Sequence, residues 1–138
     1  MIFLEMITPK KSLTVRSEVK NIRKVVSELV DFATDKTGMH AGFLPIVLSE
    51  AITNAIVHGN RNDPEKEVIA EVRVKPEKLI FTIADEGKGF NFRRRYDPTK
   101  GDNVNKASGR GLFLVRHFMD RVSFRHSGRV IIMEKCLN

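Results

Sequence analysis

Between residues 17 and 34 the apolar positions Val19, Ile22, Val25, Val26, Leu29, Val30 and Ala33 recur at spacings of three and four. That is the repeat of a helix with one buried face. Ser17 stands where a helix cap is expected, and Gly38 lies beyond the stop. A second helix is predicted over 43–57, ending at His58-Gly59-Asn60, where Gly59 suits a left-handed stop. Residues 68–74 alternate apolar and charged positions, Pro76-Glu77 turns the chain, and 78–84 follow as a partner strand. Together they read as an antiparallel hairpin with one face buried. Residues 2–15 mix apolar and β-branched side chains around Pro9 and suggest one or two edge strands. Residues 91–108 are polar, basic and without periodicity, so a long loop is expected. A third helix over 111–119 and strands over 121–125 and 129–135, joined at Ser127-Gly128, complete the chain. This order predicts an α+β two-layer sandwich, a mostly antiparallel sheet with helices on one face. An unstructured loop of that length inside a compact domain signals a functional lid.

Composition narrows the class. A chain of 138 residues fits one domain, residues 1–138. It can bury about 68% of its unfolded surface, so it needs no disulfide or metal staple. Hydrophobic residues make up 41% and charged residues 30%, as in an ordinary globular protein. No apolar run exceeds four residues, which excludes a membrane-spanning helix. The N-terminus lacks the basic and long apolar regions of a secretion signal. One cysteine, Cys136, allows neither an intrachain disulfide nor a thiolate cluster, and the expected setting is cytoplasmic.

The net charge of +7 is uneven: residues 93–116 hold seven basic and two acidic side chains. Arg93, Arg94, Arg95, Lys100, Lys106, Arg110 and Arg116 could meet nucleic acid, a polyphosphate or an acidic protein, or form a solvated loop. With no Trp and a single Tyr, direct nucleic-acid binding ranks low.

Three patches carry candidate chemistry. On the second helix Glu50, Asn54 and His58 fall at i, i+4 and i+8, in one stripe of an otherwise almost wholly apolar helix. A carboxylate and an amide held there need water, a metal, a ligand or open solvent as partners. The second patch, Asp85-Glu86-Gly87-Lys88-Gly89-Phe90, follows the strand over 78–84. A strand-end carboxylate can accept a hydrogen bond from an amino group, and glycines let the backbone approach a flat ligand. Such a GxG is also a common tight turn. The third patch, Ser108-Gly109-Arg110-Gly111-Leu112, offers a glycine-rich helix entry whose free N–H groups suit phosphate, with Arg110 as a forked cation. A hinge before an ordinary helix start has the same sequence.

In this order the patches resemble the N, G1 and G2 boxes of the GHKL (histidine-kinase-like) ATPase superfamily. The residues concerned are Glu50-xxx-Asn54-Ala55-xx-His58-Gly59, then Asp85-x-Gly87-x-Gly89, then Gly109-Arg110-Gly111-Leu112. The phrase GRGLFLVRHFMD and the run Tyr96-Asp97-Pro98 are similar to the anti-sigma factor serine/threonine-protein kinases within it. The resemblance covers about residues 15–135 and implies a Bergerat-type fold that binds ATP and Mg²⁺ under a lid at 91–110. It implies Asn54 as magnesium ligand, Asp85 as acceptor for the adenine amino group, and Gly87 and Gly89 as shapers of the base pocket. Gly109, Arg110, Gly111 and Leu112 would hold the phosphates, and Glu50 would be the general base. His58 would cap the helix end or pack beneath the phosphates, while Lys88, Ser108 and Cys136 would be structural. The implied partners are a sigma factor and a STAS-domain anti-anti-sigma protein phosphorylated on serine or threonine. A homodimer is left open, and neither membrane nor nucleic acid is expected. The alternative is a nucleotide-gated binding module without phosphotransfer. The catalytic domain of a sensor histidine kinase is disfavoured, because no helical hairpin carries a phosphoacceptor histidine.

Overall fold

A computed structural model describes residues 8–88 and 107–137, with backbone alone for 107–110. Strand β1 (Lys10–Arg16) turns its odd-numbered apolar positions Leu13 and Val15 toward the interior. A single 3₁₀ turn, Val19–Asn21, leads into α1 (Ile22–Thr37). Val25, Leu29 and Ala33 are its buried stripe, and Gly38 ends it in the left-handed conformation at φ 73°. Helix α2 (Phe43–Thr53) runs on into a π-helical turn, Asn54–Gly59. Strands β2 (Glu67–Val74) and β3 (Lys78–Ala84) form the expected hairpin. Helix α3 (Ala107–Phe118), β4 (Arg121–Arg125) and β5 (Val130–Cys136) follow.

The five strands make one antiparallel sheet in the order β1-β2-β3-β5-β4. Period-2 alternation sends Val68, Ala70 and Val72 of β2, with Leu79, Phe81 and Ile83 of β3, into the core. They meet Leu29 of α1 and Leu44, Leu48, Ile52 and Ile56 of the second helix there. Full burial of each such side chain is worth about 1.5–3 kcal/mol, which is what fastens the helices to the sheet. The α+β two-layer reading of the sequence holds.

Helix α2 lies between α1 and α3. Its start meets the end of α3, where Phe43 and Phe118 stack at 5.3 Å with planes 3° apart. Lys135 stands over the Phe43 ring at 5.0 Å and donates to the Phe118 carbonyl at 3.1 Å. The far end of α2 meets the start of α3, so the two helices run antiparallel.

Four local expectations change. Ser17 is no cap: it is fully buried, and both its N–H and its hydroxyl donate to the carbonyl of Lys66. The cap position belongs to Glu18, which makes no side-chain cap bond. Gly59 is not left-handed; it closes the π turn, and the left-handed residues are Arg61 and Asn62, at φ 55° and 58°. Helix α3 begins at Ala107, so Gly109, Arg110 and Gly111 lie inside its first turns and not in a loop leading to it. The lid expected at 91–110 therefore loses its last four residues to the helix, and its other residues, with Arg93, Arg94 and Arg95, lie outside the described ones.

Candidate functional site

A cavity of about 220 Å³ opens between the helical layer and the sheet at the end where β3 stops. Its floor is apolar: Ala51 and Ala55 of the second helix, Ile83 and Ile131 of the sheet, and Leu112 and Val115 of α3. Phe124 of β4 forms one side, with the Arg116 guanidinium 6.0 Å from its ring centre. An apolar floor of this kind suits a hydrophobic ring system. Asn54 and Asp85 bring polar groups to it, and His58, Arg61, Lys66, Lys88 and Arg129 line it as well. The lysines and arginines among them favour an anionic ligand.

Asp85 sits just past β3, its N–H donating to the Arg129 carbonyl at 2.9 Å. Burial pushes its carboxyl above the usual 3.8, while the Gly87 N–H and the charges of Arg129 and Lys66 pull it back. The Gly87 N–H donates to Asp85 Oδ1 at 2.7 Å. The backbone is pressed close here. A β-carbon on Gly59 would stand 2.5 Å from the Asp85 Cγ, and one on Gly87 would collide with the Gly59 carbonyl oxygen. These two positions accept only glycine because the end of the second helix and the 85–87 loop are pressed against each other.

The third predicted patch joins the first. A β-carbon on Gly111 would lie 2.7 Å from Glu50 Oε2 and 3.2 Å from Asn54 Nδ2. Glu50 and Asn54 thus share a face of the second helix that α3 approaches through its glycine. Asn54, Asp85, Gly87 and Leu112 line the cavity, whereas Glu50 stands beside Gly111, off the lining. The backbone of Gly109 and Arg110 belongs to α3, and Gly89 lies outside the described residues. His58 is exposed and lines the cavity at the end of the π turn. Such turns are frequent at functional sites.

Sequence reasoning missed Lys66, Phe124, Arg129 and Asn60. The first three reach the cavity only through strand pairing, so no local signal marks them. Asn60 is fully buried; in the sequence its only mark is its place directly after His58-Gly59. Among the described residues no three His, Cys, Asp or Glu side chains gather to hold a metal, and no helix is long and apolar enough to cross a membrane.

A two-layer sandwich with a cavity of apolar floor, lined also by an amide on one helix, a strand-end carboxylate and basic side chains, defines a small-ligand binding class of site. Residues 14–135 match the family described as "Histidine kinase-like ATPase domain", and the chain belongs to that family. Among its relatives is the serine-protein kinase RsbW of Bacillus subtilis, 35% identical over 102 residues, or 69% of this chain and 64% of that protein. RsbW of Listeria monocytogenes is 30% identical over the same length, covering 65% of that protein. The anti-sigma F factor of Clostridium perfringens is 29% identical over 131 residues, 91% of this chain and 85% of the relative. The match thus spans a little under two thirds of each RsbW relative.

Proposed function

We propose that this chain, acting as a single domain, binds ATP with Mg²⁺ in the cavity and is an anti-sigma factor with serine/threonine-protein kinase activity. The observation that carries the nucleotide reading is the Asp85 carboxylate. It lines a cavity with an apolar floor, is fixed on one side by the Gly87 N–H, and is crowded by Gly59 and Gly87 where no side chain fits. Asp85 accepts the adenine amino group, while Gly87 and Gly89 keep the backbone close to the base. Asn54 holds the magnesium ion through its amide oxygen; a hard cation that keeps water and phosphate oxygens needs few protein ligands, and one amide on the wall fits it. Gly109, Arg110, Gly111 and Leu112 meet the phosphates at the start of α3. The bound nucleotide supplies the phosphoryl group, and the ion offsets its charge.

Glu50 takes the proton from the acceptor hydroxyl, at the junction where α3 crosses the second helix at Gly111. The relatives' names support the partners: a kinase of serine in a protein, and a factor opposing a sigma factor. A sigma factor is accordingly one protein bound, and our reading adds a STAS-domain anti-anti-sigma protein as the phosphoacceptor, in the cytoplasm. The test is transfer of labelled phosphate from ATP to such a partner by wild type and by Glu50→Ala. Transfer by wild type alone supports the assignment; equal transfer by both removes Glu50 from the base role.

One observation favours a second reading. Glu50 does not line the cavity, so a nucleotide held by Asn54 and Asp85 could gate partner binding without transfer. Nucleotide-dependent partner binding without labelled product would support that reading.

A further inference from the structure

Next to the cavity, yet outside it, lies a closed circuit of polar groups. Asn60 Nδ2 donates to the Glu67 carbonyl at 3.0 Å and to Ser17 Oγ at 2.7 Å. Asn60 Oδ1 accepts from the Glu86 N–H at 2.7 Å. The Glu86 carboxylate in turn accepts from the Glu67 N–H at 2.5 Å, which closes the ring. The Ser17 hydroxyl in turn donates to the Lys66 carbonyl at 2.8 Å. Both amide protons of Asn60 go to oxygens, and its oxygen takes an N–H. Only an amide of this length does both, since a carboxylate would place an oxygen against the Glu67 carbonyl. The residue is fully buried, so no water replaces a lost partner.

The circuit ties the peptide after Asp85 to the start of β2 and to the end of the second helix. Asp85 is held from the other side by the Arg129 carbonyl. We infer that Asn60 is a positioning residue: it fixes the 85–87 loop so that the Asp85 carboxylate faces the base, and thereby sets discrimination for a 6-amino purine. This rests on the nucleotide reading above, in which Asp85 accepts from the adenine amino group. Asn60 itself need not touch the nucleotide. Without the Glu86 anchor the loop turns, and the carboxylate loses its aim while the apolar slot and the phosphate contacts persist.

The experiment compares the binding of ATP with that of purine riboside triphosphate, which lacks the amino group, by calorimetry on the full chain with magnesium, below each variant's melting temperature. Wild type is expected to prefer ATP by about 10- to 100-fold, the worth of one hydrogen bond to a charged group. In Asn60→Ala that ratio falls to about that of Asp85→Asn, while affinity for the deamino analogue stays within about threefold. A merely structural role lowers the melting temperature and leaves the ratio intact, and that result overturns the inference. If wild type shows no preference, the assignment of Asp85 to the amino group fails, and the positioning role falls with it. Should Asn60→Ala not fold, Asn60→Ser carries the test, because its shorter side chain keeps a polar group in the buried site but cannot reach the Glu86 N–H that Asn60 Oδ1 holds. A ratio unchanged in that variant is equally fatal.

Discussion

Gly111 of α3 lies against Glu50 of the second helix so closely that a β-carbon on it would stand 2.7 Å from the Glu50 Oε2. The contact joins two patches that are 61 positions apart in the chain. The atom in the way is the tip of a flexible side chain, so an added methyl group displaces the carboxylate more readily than the backbone. Gly111→Ala should therefore fold well. Loss of a helical glycine stabilises by up to about 1 kcal/mol, which offsets the crowding. Phosphate transfer should drop at least about tenfold, and by more than ATP affinity, which feels only the milder 3.2 Å approach to Asn54 Nδ2, as expected when a proton acceptor is displaced from its position. Binding and transfer assays on one preparation read both; equal loss of the two would point to a general collapse of the site.

Asp85→Asn separates recognition from stability. Burial holds the native carboxyl above 3.8, so the native state binds its proton more tightly than the unfolded chain does. Between the two values the unfolded chain is ionised while the native one is still protonated. This group's contribution to stability is therefore fully present below 3.8 and declines as pH rises through the native value. The variant should lack that decline and melt no lower than wild type near neutrality. Its ATP affinity should fall about 10- to 100-fold. In wild type, ATP affinity should weaken on acidification before pH 3.8 is reached, because the proton competes with the amino group. Melting curves and titrations across that range check both.

Asn54→Ala tests the metal. Mg-ATP at 100 times its dissociation constant stabilises a fold by about 2.7 kcal/mol. That is a rise of roughly 6–15 °C for a chain of this size. Wild type should show a rise that needs magnesium, and Asn54→Ala should lose the magnesium-dependent part. A rise in wild type that is the same with a chelator present would remove Asn54 from the metal.

Gly87→Ala should harm both fold and binding. Its new methyl group meets the Gly59 backbone carbonyl, which cannot step aside as a side-chain tip can. Overpacking of this kind costs about 1–3 kcal/mol. Chemical denaturation should show that loss even without nucleotide. Unchanged stability would mean that the two backbones are less tightly apposed than the geometry requires.

How far local pattern reached is clearest in α1 and in the β2–β3 hairpin. Val25, Leu29 and Ala33 at one helical face, and Leu79, Phe81 and Ile83 at alternate strand positions, carry their fate in their spacing. Glu50, Asn54 and His58 share a stripe for the same reason. Ser17 shows where such reasoning stops. Its position invites capping, yet its hydroxyl is claimed by Lys66, 49 residues away. Gly59 shows it again: the small residue is required by the Asp85 carboxylate and not by a left-handed turn.

By itself the order of residues determined the element types, the buried faces and the motif residues, because spacing along a helix or strand dictates which side chains share a side. The tertiary structure alone decided which glycines are crowded and by what. It also decided that Lys66, Phe124 and Arg129 join Asp85 in one cavity, and that Asn60 braces the loop behind it. Those relations depend on strand order and on the antiparallel seating of α3 on α2. Both are settled by packing between segments far apart in the chain, on which no local pattern reports.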